Sequence, residues 1–173
     1  MASYEYLISS LPMLRAEGDL PISYETFLET CRSVLSQKRF QALETLTLTS
    51  SEGPLVSEWA RFYSILIEEL NYQRNQRLGR PCEPPSDRDE AAQKVVTEAL
   101  NAKNPLDAEQ LLLALEFERL DSLTGTHYFD DYCLNGYALK LLLLKRRTVF
   151  DKEKGRAEFG RLFDHIQQQI LNI

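Results

Sequence analysis

The stretch that decides the fold is residues 104–150. It opens Asn104-Pro105-Leu106-Asp107-Ala108-Glu109 and runs through leucines to His127-Tyr128-Phe129-Asp130-Asp131. It then reads Tyr137-Ala138-Leu139-Lys140, followed by four leucines. Asn104 supplies a capping oxygen, Pro105 a preset φ, and Asp107 a negative charge against the helix dipole, so a helix is expected from Pro105. It should stop after about Leu123, close to Gly125. Leu111, Leu112, Leu113 and Leu115 cover most of its circumference, which predicts packing on more than one side. The next helix is expected from Asp131 to about Phe150, with Leu134, Ala138, Leu141 and Leu142 facing one way and Tyr137 and Leu144 another. Gly136 inside it costs up to about 1 kcal/mol relative to alanine, so a close helix crossing is expected at that point.

The same signals recur on either side. Residues 80–89 hold Pro81, Pro84 and Pro85 and form the clearest loop, and Ser86 with Asp89 resembles a capping box before a helix carrying Ala92, Val95, Val96, Ala99 and Leu100. Pro54 is expected to open a long helix to about Leu78, stopped by Gly79. Its apolar stripe is Val56, Trp59, Phe62, Tyr63, Leu66 and Leu70, and the same face reaches Arg74 and Arg77. Those arginines either sit solvated on a protruding helix end, or pair with carboxylates such as Glu109 and Glu116, or grip a partner.

Ser23 can cap a helix bearing Phe27, Leu28, Cys31, Val34 and Leu35, and Ser36 a shorter one with Phe40 and Leu43. Residues 47–53 read as a polar turn. Residues 4–11 fit a short helix better than a strand, and Pro12 ends it. From about Glu153, Phe159, Leu162, Phe163, Ile166 and Ile170 share a helical stripe. The expected fold is an all-α helical bundle of roughly six to eight amphipathic helices in one domain, 1–173, with the loop 80–89 the one candidate boundary between two small lobes.

Composition bounds the function. The chain has 173 residues, 43% hydrophobic and 27% charged, with a net charge of -6. That sign argues against general nucleic-acid binding, which needs a basic surface. Cys31, Cys82 and Cys133 are scattered and odd in number, a pattern of reduced thiols in a cytosol. No leader is visible at the start, and Leu141 to Leu144 is the longest strongly apolar run, far below the roughly 20 residues of a membrane helix, so no direct membrane insertion is expected.

Chemistry is hard to find. The two histidines lie outside any recognisable catalytic motif. His127 precedes a helix, and His165 sits beside the stripe residue Ile166. His127 with Asp130 and Asp131 offers a weak metal set, although an aspartate there more often caps the following helix. Glu-x-x-His is absent, since Thr124 and Leu162 stand three residues before the histidines. No glycine-rich phosphate loop occurs. Lys145-Arg146-Arg147 is either a solvated helix end or a contact for an acidic partner. No enzyme activity, cofactor or resident metal is expected.

An ordered set of segments nonetheless resembles a family. Tyr4-Glu5-Tyr6-Leu7-Ile8-Ser9-Ser10-Leu11-Pro12, Phe40-Gln41-Ala42-Leu43-Glu44 and Asn104-Pro105-Leu106-Asp107-Ala108-Glu109 come first. His127-Tyr128-Phe129-Asp130, Tyr137-Ala138-Leu139-Lys140-Leu141, and Phe150-Asp151 with Gly155 follow. Together they are similar to a bacterial family of uncharacterised proteins encoded beside the components of V/A-type rotary ATPases. Members resemble a shortened V-type ATPase C subunit (the d component of eukaryotic complexes), an all-helical element that seats the central shaft on the membrane ring. The Tyr4/Tyr6 pair echoes the paired tyrosines that open that element, although this chain is too short for its three lobes.

The resemblance implies a non-catalytic subunit or accessory protein, cytoplasmic and held at the membrane through the shaft and ring of the ATPase. Tyr4, Tyr6, Arg74, Arg77, Lys145, Arg146 and Arg147 are the residues expected to make partner contacts. The alternatives are a free-standing helical adaptor unrelated to the ATPase and a small metal enzyme built on His127, Asp130 and Asp131.

Overall fold

The computed structural model describes residues 4–148, which form seven α-helices and no strand. In order they are α1 (Tyr4–Ser10), α2 (Tyr24–Arg32), α3 (Gln37–Glu44), α4 (Val56–Arg77), α5 (Glu90–Leu100), α6 (Pro105–Thr124) and α7 (Asp131–Thr148). The stripe from Phe159 to Ile170, His165 and the ends 149–150 of the last leucine-rich helix lie outside the described residues. So do Asp151 and Gly155 of the resembling set. The all-α architecture follows from the apolar periodicity, and even the ambiguous residues 4–10 are helical, with Leu7 turned into the core.

Three helix starts follow the expected chemistry. Ser23 accepts from the Thr26 amide at 3.1 Å, Asn104 from the Asp107 amide at 2.9 Å, and Asp130 from the Cys133 amide at 3.1 Å. Each satisfies a donor that the first turn leaves unpaired. Ser36 precedes α3 without a side-chain cap bond. Gly125, at φ 50, ends α6 where only a residue without a Cβ turns cheaply.

Two starts differ from the sequence reading. Pro54 does not open α4; the helix begins at Val56, after Leu55 at φ 64. Leu55 is fully buried. A leucine held at this positive φ costs about 1–3 kcal/mol, and complete burial of its side chain returns about 1.5–3 kcal/mol, so burial offsets the strain. At α5 the cap is Asp89, which accepts from the Ala92 amide at 2.9 Å, and not Ser86. The box shifts by three residues because the chain stays extended through Asp89 (φ -113, ψ 127).

The stripe on α4 also bends away from expectation. Its buried residues are Val56, Trp59, Phe62, Leu66 and Glu69, so the core line passes to Glu69 and leaves Arg74 and Arg77 exposed. The cause is α5, which packs along this end of α4 while the loop before it delivers Arg88. Glu69 accepts from Arg88 Nε and Nη2, both at 2.8 Å, and from Gln73 at 2.8 Å.

A single buried cluster holds the helices together. It joins Leu7 of α1, Phe27 of α2 and Phe40 of α3 to Trp59 of α4, Val96 of α5, Leu113 of α6 and Leu139 of α7. Ala92 and Val96 lie beyond the Pro-rich loop yet belong to the same core. α6 and α7 cross closely at Gly136, where a Cβ would stand 2.7 Å from Thr124 Oγ1. α7 is buried nearly all round, at Leu134, Ala138, Leu139, Leu141, Leu143 and Leu144.

Candidate interaction surfaces

His127 and Asp130 hold a turn together, and Asp131 is drawn away from them. His127 Nδ1 pairs with Asp130 Oδ2, and its ring stacks on Tyr132 with centroids 4.4 Å apart. Asp131 faces elsewhere: it accepts from the Tyr4 hydroxyl at 2.6 Å and pairs with Arg39 at 3.1 Å. Among the described residues no group of three or more His, Cys, Asp or Glu side chains is placed to hold a metal ion. Burial pushes the Cys31 thiol up to about 12 and also raises Cys133, so neither supplies a thiolate at neutral pH.

The residues expected to meet a partner divide into two groups. Tyr4 is braced internally: burial first, then its bond to Asp131, raise its hydroxyl, and Arg39 lies 5.7 Å over its ring. Arg146 is also spent inside. Its Nε donates to Glu109 at 2.7 Å, and Nη1 and Nη2 donate to the two oxygens of Glu116 at 2.8 and 2.5 Å. Glu109 and Glu116 therefore take their arginine from α7 and not from Arg74 or Arg77. Arg147 donates to the carbonyls of Ala16 and Gly18, which fastens the chain after α1.

The others face outward. Tyr6 is 69% exposed. Arg74 is exposed, and Arg77 donates to Leu100 O at 2.5 Å and Asn101 Oδ1 at 2.6 Å, capping the end of α5. Lys145 pairs with Glu25 at 3.3 Å across solvent.

An apolar-lined opening among the described residues was not legible from those positions. It is a groove of about 570 Å³ between residues 8–14 and the α6–α7 turn, with Leu11, Pro12 and Leu14 on one wall and Tyr128, Gly136 and Tyr137 on the other. Met13 and Tyr128 line it while 77% and 66% exposed, and Phe129 beside Tyr128 is 52% exposed. Its walls are pinned: Tyr137 Oη donates to Pro12 O at 2.9 Å, and the His127 amide donates to Thr124 O at 2.9 Å. Lys140 Nζ reaches Asp121 Oδ1 at 2.5 Å at its edge. A second opening of about 470 Å³ shares Leu14 and Asp121 with it and continues along α6.

A second, polar groove of about 740 Å³ lies between α4 and α5, beside Arg77, Arg88 and Lys94. Arg88 is already neutralised by Glu69 there. The exposed pair Tyr128-Phe129 between two helices was the one sequence signal for the apolar groove; Met13 and Asp121 gave none. No family model, curated protein or solved structure matches this chain.

Proposed function

We propose that this chain is a non-catalytic, all-helical subunit or accessory protein of a bacterial V/A-type rotary ATPase, an element like the C subunit between central shaft and membrane ring. The observation that carries the reading is a convergence. Three of the segments behind the resemblance, far apart in sequence, meet around the apolar groove: Leu11 and Pro12 from the first, His127 and Tyr128 from the fourth, Tyr137 and Lys140 from the fifth. Three of the six resembling segments thus meet at one place on the molecule, as shared binding of a partner would favour.

The rest of the molecule suits a mechanical role. Its helices share one leucine-rich core, and the Glu109–Arg146–Glu116 network ties α6 to α7 without a partner. No described helix is long and apolar enough to cross a membrane, so attachment there would come through other proteins of the complex. Force would pass through rigid packing, with no nucleotide bound and no proton carried.

Affinity purification of the tagged chain from its native cell in mild detergent tests this. Recovery of the catalytic ATPase head together with the membrane ring is expected. Recovery of the chain alone, with the ATPase intact elsewhere in the lysate, would leave a free-standing helical adaptor.

A further inference from the structure

We infer that the two joined openings form one docking groove for an amphipathic helix of a partner protein, apolar on its buried face and basic along its flanks. The groove follows a single stripe of α6, Ala114, Phe117, Glu118, Asp121 and Thr124. At 1.5 Å per residue this stripe spans about 15 Å, close to three helical turns. Residues 8–17 form the facing wall, and Met13 and Tyr128 stand as exposed lips. That shape takes a helix laid in a groove.

Preorganisation supports it. The Tyr137–Pro12 bond, the paired and stacked His127, and the Arg147 contacts to Ala16 and Gly18 fix both walls through the chain's own contacts. A partner would then lose little free energy in ordering the groove, and the exposed aromatic and methionine are side chains suited to anchoring it.

Charge selects the occupant. Asp121 and Lys140 neutralise each other at the rim, which leaves two carboxylates, Glu17 and Glu118, against one cation, Arg15. A helix with basic flanks complements that rim. A second copy of a chain whose net charge is -6 brings more of the same sign. The groove does not depend on the rotary-ATPase reading; that reading supplies only the identity of the protein that owns the helix.

Photocrosslinking in the native cell tests the inference. Benzoylphenylalanine is placed at position 13 or 128 of the full chain, and at position 106 as an exposed apolar control. Positions 13 and 128 should capture one common peptide, apolar on one helical face and rich in lysine or arginine beside it, which position 106 does not capture. Reversing the rim with Glu118→Lys and Asp121→Lys should lower that yield several-fold, with the helical signal in circular dichroism unchanged. A peptide from a component of the ATPase supports both readings; the same kind of peptide from another protein keeps the groove and removes the ATPase. Crosslinks to residues 149–173 of the same chain, to a second copy, or to no common peptide would overturn the groove. An unchanged yield after charge reversal would overturn the basic partner.

Discussion

At Arg146 three nitrogens serve two carboxylates, and the arrangement sets how the molecule should respond to pH. Burial raises the Glu116 carboxyl, and the Arg146 guanidinium opposes that rise. Burial alone would lower Arg146, but its bonds and charge contacts to Glu116 and Glu109 hold it above its usual value. Arg146→Met leaves the carboxylates without a cation, which should cost about 3–5 kcal/mol at pH 7, measured by urea unfolding. Because the folded state then prefers protonated Glu116, the deficit should shrink as pH falls towards 4.5. A deficit independent of pH would mean that the loss is packing alone.

Glu69 has the opposite sign. Its bond to Arg88 outweighs burial and lowers its carboxyl below 4.5. Its stabilisation is therefore complete above that value and lost as pH falls through the folded value. Glu69→Gln should be less stable than wild type at pH 7 and lose less stability on acidification, read from denaturant midpoints at pH 7 and pH 3.

Between elements, the α6–α7 crossing offers a sharper test than any single helix. Gly136→Ala would gain up to about 1 kcal/mol of helix propensity. Its new Cβ, however, would stand 2.7 Å from Thr124 Oγ1, which is short, β-branched and bonded to Leu120 O at 2.7 Å. Overpacking of this kind costs about 1–3 kcal/mol, so the single substitution should destabilise. Adding Thr124→Ala removes the clashing atom and should recover most of the loss, a coupling that a double-mutant cycle measures in thermal melts. Additive effects would show that the crossing relaxes freely.

The glycine's role was legible because a helix interior tolerates it poorly without a reason. So were the starts at Ser23 and Pro105, where the cap lies next to the helix it serves. Pro54 and Ser86 misled because the deciding forces are tertiary: Leu55 accepts a positive-φ backbone to reach the core, and Asp89 caps where the extended loop delivers it. Helical spacing alone also could not choose between Leu70 and Glu69, since Arg88, nineteen positions on, makes the glutamate a core residue.

For the whole molecule, the same distinction explains which surfaces could be foreseen. Arg146 and Arg147 read as a charge run, yet one locks α6 to α7 and the other fastens the chain after α1; sequence places residues on a helix but not the neighbour they face. The groove needs walls from residues 8–14 and 121–140, a juxtaposition that no local pattern encodes. It exists because α1 contributes Leu7 to a cluster shared with the six other described helices. If that core acts as one unit, residues on both sides of the 80–89 loop should unfold together. Trp59, the chain's one tryptophan, is buried and donates from Nε1 to Leu48 O at 3.1 Å, so its fluorescence reports on α4 and the turn before it. Helical circular dichroism reports on the whole chain. In urea the two signals should share one midpoint and one slope. Separate midpoints, with tryptophan lagging or leading, would divide the molecule at the Pro-rich loop despite the packing of Ala92 and Val96 against the common core.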